Sequence, residues 1–370
     1  MKEIIIRESE AGQRLDKFLN RCLPKAGKSF LYKMLRKKNI VLNDKKVAGK
    51  KLLQCGDSLK IFFSKETMYK LSAVPAKKYP ILEQKYVLYE DDNVLIVNKP
   101  AGMLSQKAKQ SDVSLTEYLR GYLLKTGIVM SDALKVFQPG VCNRLDLNTS
   151  GIVLSGKHLT AVRELSLILK KCTIKKYYLC LVQGNIKEGR KMSDYLRKNP
   201  KMNKVSISHF RKEDSFCIDT SYEPFAWYEE GTLLKVELIT GKTHQIRSHL
   251  AYAGHPIAGD VKYGKQQYNQ TFKKAYGLQR QFLHAWQVVF PEMHGSLKNL
   301  SLKTITAPLP NQLENILEQL HRQENLYEKK QKENSKENKE KNHWKRNLGR
   351  ATYNIHCPDS SYIDSEIFDY

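Results

Sequence analysis

The run Asn143-Arg144-Leu145-Asp146-Leu147-Asn148-Thr149-Ser150-Gly151, leading straight into Ile152-Val153-Leu154, constrains this chain more than any other stretch. The apolar triplet reads as a buried strand, and the small polar residues before it read as a tight turn. Asp146 is therefore expected at the mouth of a strand, with Arg144 beside it. A loop aspartate commonly caps a helix, closes a turn or faces water. What lifts this one above that reading is a second cluster much further along, Gly241-Lys242-Thr243-His244-Gln245-Ile246-Arg247.

The partner class follows from charge. The 370 residues carry 63 Lys+Arg against 38 Asp+Glu, a formal net charge of +25. A surplus of that size attracts polyanions, and nucleic acid is the expected partner. No segment approaches the roughly 18 consecutive apolar residues of a spanning helix, and the opening Met1-Lys2-Glu3-Ile4-Ile5-Ile6-Arg7 lacks a signal peptide's apolar core. The expectation is a cytoplasmic protein with no membrane association. Seven scattered cysteines without Cys-x-x-Cys spacing read as reduced packing thiols. His244 and His249 are five apart, on different sides of a helix, with no acidic third ligand, so no metal site is expected. Gly241-Lys242-Thr243 resembles the end of a P-loop, but Val236 stands where that loop needs its first glycine.

The length suits roughly two to three domains, and the pattern gives an order for them. In residues 1–63, Leu15, Phe18, Leu19, Cys22 and Leu23 recur at helical spacing, and Leu31, Met34 and Leu35 start a second helix after Ser29. Ile40 to Val47 reads as strand, turn, strand. Residues 1–64 hold sixteen Lys/Arg against six Asp/Glu, so a basic helix-plus-hairpin face is expected. Residues 64–84 lose periodicity and read as a polar tether. In residues 85–323, strands at Tyr86–Tyr89, Val94–Val97, Tyr177–Val182 and Leu234–Leu238 mix with helices at Leu159–Leu169 and Thr243–Tyr252, the last ended by Gly254. The class is α+β. From 324 to 370 the chain is rich in Glu, Lys, Gln and Asn and reads as a charged, disordered tail.

Gly12-Gln13-Arg14-Leu15-Asp16-Lys17-Phe18-Leu19, Lys28-Ser29 and Asn43-Asp44-Lys45-Lys46-Val47 resemble the small RNA-binding S-four domain of a ribosomal protein. That resemblance implies phosphate contacts by Lys28, Tyr32, Lys33, Arg36, Lys37 and Lys38, which position an enzyme without reading bases. Across residues 85–265 the chain resembles the RluA-type pseudouridine synthases. Asn98-Lys99-Pro100-Ala101-Gly102, Asn143 to Gly151, Lys176-Tyr177-Tyr178, Gly241 to Arg247 and Gly254-His255-Pro256-Ile257-Ala258-Gly259-Asp260 follow that family's motifs in order. The resemblance implies a catalytic domain with a mixed, mainly antiparallel sheet flanked by helices, which isomerises uridine in RNA. The S-four-like domain narrows the substrate to large-subunit ribosomal RNA.

The same resemblance assigns roles. Asp146 is the catalytic carboxylate, Arg247 the cation that holds it ionised, and Tyr178 the ring that stacks on the uracil. Arg144 fills the gap left by the flipped nucleotide. Lys99, Lys176 and His244 lie within the motifs and are expected as further RNA contacts. Asn143 departs from the histidine that many members carry there, yet can still donate and accept hydrogen bonds that hold the loop. The isomerisation consumes neither electrons nor water, so no cofactor is expected, and no obligate protein partner either. A non-catalytic RNA-binding assembly factor, a synthase acting on transfer RNA and a hydrolase using Asp146 stay open at this point.

Overall fold

The structure, a computed structural model, describes residues 1–7, 10–72, 78–127, 138–199 and 204–323. The expected disordered tail from 324 onward lies outside the described residues, as do residues 73–77 of the expected tether.

The chain opens with β1 (Lys2–Ile5), α1 (Leu15–Cys22), α2 (Lys28–Arg36), β2 (Ile40–Leu42) and β3 (Ser58–Ile61). Leu15, Phe18 and Leu19 of α1 meet Leu31, Met34 and Leu35 of α2 over the inward residues of a three-stranded sheet ordered β1-β3-β2. The basic residues Lys28, Lys33, Arg36, Lys37 and Lys38 are exposed. The hairpin read from sequence is corrected here. Asn43 and Asp44 turn through left-handed backbone (φ 51 and 59), and Lys45 makes an isolated bridge to Leu42. Lys45 and Lys46 offer the core no apolar side chain, so β2 pairs antiparallel with β3, whose Leu59 and Ile61 do. The tether also differs from expectation. Lys65–Ser72 is helix α3, built from good helix formers, and its Met68 and Leu71 pack on the N-terminal core.

The larger sheet follows: β4 (Val87–Glu90), β5 (Val94–Lys99), α4 (Leu115–Lys125), β6 (Gly140–Val141), β7 (Ser150–Gly156), α5 (Leu159–Lys170), β8 (Lys175–Val182), β9 (Arg190–Asn199), β10 (Lys204–Ser208), β11 (Ser215–Tyr228), β12 (Gly231–Leu238), α6 (Gln245–Tyr252), α7 (Gln266–Tyr276), β13 (Leu283–Val289) and β14 (Thr304–Thr306). Its eleven strands run β10-β9-β11-β12-β8-β13-β7-β5-β4, with β14 on β13 and β6 on β7. All the pairings are antiparallel except β13 with β7, as the mixed, mainly antiparallel expectation requires. Strands β5 and β7 are covered on both faces. Leu95, Val97 and Val153 face a core shared with Tyr178, Val236, Ile246 and Leu250, while Val94, Ile96, Ile152 and Leu154 face Ala161 and Leu165 of α5. Double burial explains why these strands read as unbroken apolar runs. Helix α6 lies on the first of these faces, which is where the site forms.

Candidate active site

A backbone turn closes from Asp146 to Thr149, whose N–H donates to the Asp146 carbonyl at 3.1 Å, and the turn delivers the chain into β7. The next step needs glycine. Gly151 has φ +113, and a Cβ there would lie 2.2 Å from the Ala285 carbonyl oxygen of β13. Close approach of the two backbones aligns Gly151 with Ala285, and Ala285 with Tyr178 of β8. The register thus fixes Tyr178 two strands away from the residue that follows the Asp146 turn.

The loop around Asp146 is pinned on both sides. Ser105 Oγ donates to the Leu145 carbonyl at 2.9 Å and accepts from the Leu145 N–H at 3.0 Å. Gly102 N–H donates to the Leu147 carbonyl at 2.7 Å. Asn143 spans β7 from outside, donating to the Ile152 carbonyl at 3.2 Å and accepting from Leu154 N–H at 2.7 Å. Asparagine therefore does hold the loop. Lys99 corrects the sequence reading: it is fully buried, and its ammonium donates to the carbonyls of Pro100 at 3.0 Å, Met103 at 2.8 Å and Leu147 at 3.4 Å. Burial drives its pKa down to about 7, with Asp146 opposing and Arg280 reinforcing the shift. An RNA phosphate cannot reach it; the alternation of β5 turns it inward to serve the loop instead.

Asp146 and Arg247 meet. Arg247 Nη1 donates to Asp146 Oδ2 at 2.7 Å, while its Nε and Nη2 grip Asp260 at 2.7 and 2.9 Å. One guanidinium thus joins two carboxylates, of which Asp260 is buried and Asp146 is 27 % exposed. Burial opposes the Arg247 charge, but the hydrogen bonds and attraction of Asp260, and then of Asp146, outweigh it and raise the pKa. Burial likewise disfavours the Asp260 carboxylate, yet Arg247 and the N–H groups of Lys262 and Tyr263 hold its pKa below the usual range. Nothing in the sequence gave Asp260 a role beyond its place in a motif. The two-to-one division of the guanidinium shows it as the anchor and Asp146 as the presented acid.

His244 and Tyr263 complete this wall. Tyr263 Oη accepts from Val205 N–H at 2.9 Å and lies 3.0 Å from His244 Nδ1. His244 Nε2 faces Asp146 Oδ2 at 3.9 Å. Burial lowers the His244 pKa, keeping the ring neutral against the attraction of Asp146. His244 also caps α6 with left-handed backbone, φ 53. Tyr263 places its ring 5.3 Å from the Arg247 guanidinium carbon. Sequence reading missed Tyr263, which lies three residues past the last motif.

Tyr178 is buried in the core under α6, and burial followed by the Asp146 charge raises its pKa. Lys176, two residues earlier on the same face of β8, is partly buried, and burial lowers its pKa against the nearby Cys172 and Glu237. It does not join the Asp146 cluster. Arg144 is exposed, two residues before Asp146. Tyr32 sits far along the chain in the N-terminal unit, where its hydroxyl donates to Asp16 at 2.8 Å beside an Arg14–Asp16 ion pair. His249 faces away from Asp146: Thr220 Oγ1 lies 2.9 Å from its Nδ1 and Asp194 Oδ2 lies 2.8 Å from its Nε2.

A carboxylate presented by a guanidinium, beside a buried phenol and a neutral imidazole, suits attack on or stabilisation of a sugar carbon. Comparison with known proteins decides which chemistry. The family model for RNA pseudouridylate synthase matches residues 93–252, a span that holds Asp146, Tyr178 and Arg247. The ribosomal large subunit pseudouridine synthase C of Haemophilus ducreyi is 34 % identical over 327 residues, covering 85 % of this chain and 94 % of that protein. This chain belongs to the RNA pseudouridylate synthase family. The corresponding synthase C of Vibrio parahaemolyticus is 33 % identical over 320 residues, again covering 84 % of this chain and 94 % of the relative. The solved structure of human RNA pseudouridylate synthase domain containing 4 matches at TM-score 0.51 with 20 % identity, over 64 % of this chain and 93 % of that one, and shows the same fold. Among the described residues no helix is long and apolar enough to cross a membrane.

Proposed function

We propose that this chain converts uridine to pseudouridine in large-subunit ribosomal RNA, in the cytoplasm, with Asp146 as the catalytic carboxylate. The observation that carries the reading is the Asp146–Arg247 contact at 2.7 Å, with Arg247 locked from behind by Asp260. The substrate class draws support from the relatives' names and from the +25 charge. In the reaction the C1′–N1 bond breaks, the uracil rotates, and C1′ joins C5; C5 then loses its hydrogen as a proton and N1 gains one. Atoms balance with no electron donor or water consumed.

Asp146 acts by attack on the ribose, by attack on the base or by elimination through a glycal, with its Oδ2 tied to Arg247. Tyr178 supplies the aromatic surface against which the uracil rests. Arg144, exposed two residues before Asp146, enters the stack that the flipped uridine vacates, an exchange that offsets an unstacking cost of a few kcal/mol. Residues 1–63 act as a basic clamp through Lys28, Lys33, Arg36, Lys37 and Lys38, with Tyr32 bracing Asp16 behind them, and residues 85–323 carry the chemistry. The test is incubation of the purified chain with unmodified large-subunit ribosomal RNA, followed by quantification of pseudouridine and of free uracil. Pseudouridine without uracil release is expected. Uracil release would identify a hydrolase, and neither product would leave an RNA-binding factor.

A further inference from the structure

The wall behind Asp146 extends into a surface that the chemistry does not use. Along β11, Phe216, Ile218, Thr220 and Tyr222 alternate onto one face, the face that α6 covers. Tyr222 joins Ile246 and Leu250 in the core. Thr220 lies under α6, bonded to His249 at 2.9 Å and to Gln245 at 3.0 Å. Ile218 packs with Leu196 and Val205, and Tyr263 lies against them. Phe216 is next in the row, and there the cover ends: the ring is 53 % exposed. Lys242, two residues before His244, holds its ammonium 4.7 Å from the centre of that ring.

Cations and rings interleave around it. Lys198, on the Phe216 face of β9, and Arg211 and Lys212, on the turn before β11, are exposed, against Glu213 and Asp214 at the turn's tip, while Arg197 and Lys204 alternate onto the opposite face. Phe210 on that turn is 80 % exposed, and the His209 ring stands edge-on to Tyr252 of α6 at 5.1 Å. The ribbon is fastened to the catalytic helix, since buried Asp194 of β9 bonds both His209 and His249. Exposed aromatic rings among lysines and arginines provide what single-stranded nucleic acid needs: a stacking surface for each base and a counter-charge for each phosphate.

We propose that Phe216 and Lys242 form a docking platform for the single-stranded RNA nucleotides that flank the target uridine. The inference rests on the proposed RNA substrate. Flipping the target strips its neighbours of a stacking partner, and Phe216 stands on the active-site face of the sheet, at the outer end of the row that Thr220 and Ile218 begin. Lys242 pairs with a backbone phosphate while Phe216 receives a base. The ribbon thereby sets which strand geometry presents a uridine to Asp146.

The test uses the full chain, with Phe216→Ala, Phe216→Trp and Lys242→Ala variants. Binding of a labelled uridine-rich single-stranded oligoribonucleotide is read by fluorescence anisotropy, and kcat and KM are read on large-subunit ribosomal RNA. Phe216→Ala is expected to weaken oligonucleotide binding and raise KM by roughly 5- to 150-fold with kcat within about twofold, and Phe216→Trp to restore both. Lys242→Ala is expected to reduce the salt dependence of binding by about 0.7 in log–log slope, one phosphate contact. Wild-type binding and KM in Phe216→Ala would overturn the platform. So would equal losses in the Ala and Trp variants with a lowered melting temperature, which would mark Phe216 as structural. Binding does not depend on turnover: a wild-type protein that makes no pseudouridine would refute the proposed function while the oligonucleotide comparison still decides the platform.

Discussion

Lys99 is fully buried at the end of β5, where its side chain donates to three carbonyls, one of them Leu147 beside Asp146. The unfolded chain keeps the Lys99 proton up to the ordinary 10.5, whereas the folded chain releases it near 7. Between those values the unfolded state binds more protons, so Lys99 makes stability rise with pH from about 7 towards 10.5. Urea titrations of the wild type and Lys99→Met at pH 7 and pH 9.5 should show that contribution in the wild type and its absence in the variant. The variant itself should lose about 1–3 kcal/mol through carbonyls left unpaired.

His244 makes a second prediction at this scale. Its Nε2 lies 3.9 Å from Asp146 Oδ2, close enough for a side-chain shift to join the two by a hydrogen bond. His244→Ala should lower kcat by roughly 10-fold or more, the worth of a hydrogen bond to a charged group. Glycine adopts the φ of 53 without strain. If the ring acts on Asp146, His244→Gly is as slow as His244→Ala; recovery of kcat in the glycine variant would show that only the backbone mattered.

At the scale of elements, Gly151 is the point where β7, β13 and the catalytic turn depend on one another. A Cβ at that position meets the Ala285 carbonyl at 2.2 Å, backbone against backbone, at φ +113. Gly151→Ala should therefore destabilise the protein by roughly 2–4 kcal/mol, overpacking and strain together. Gly140→Ala, whose Cβ would find only Thr116 Cγ2 at 3.9 Å, should change little. Thermal melts of the two variants make the comparison. The strands β5, β7, β8 and β12 and the helices α1, α2, α5 and α6 were legible in the sequence because burial imposes period 2, period 3.6 or an unbroken apolar run. Helix α4 was legible in principle: Ser114 and Glu117 form a capping box, both bonds present. The second hairpin strand was misread because Asn43-Asp44 signals a turn without saying which strand returns. Arg247 and Asp146 were paired in advance by resemblance, but Asp260 and Tyr263 act through contacts between distant segments, and no local pattern encodes those.

The whole molecule combines a basic N-terminal unit with a synthase sheet, and the two contribute different terms. In the proposed function, phosphate contacts of the N-terminal unit supply salt-dependent affinity and contacts near Asp146 act on the uridine. Deleting residues 1–63 should weaken binding to ribosomal RNA and flatten its salt dependence, while circular dichroism and melting show the remaining sheet folded. Joint loss of structure would mean that the Arg163–Ala11 hydrogen bond at 3.0 Å belongs to a larger, obligatory interface.

Asp146, presented by Arg247, is proposed to isomerise uridine in large-subunit ribosomal RNA. The most direct test is single-turnover pseudouridine formation by the wild type and Asp146→Asn on that RNA, with binding measured in parallel. The expected outcome is pseudouridine from the wild type and none from the variant, which still binds RNA with wild-type affinity. Pseudouridine formed by Asp146→Asn at a wild-type rate would contradict it.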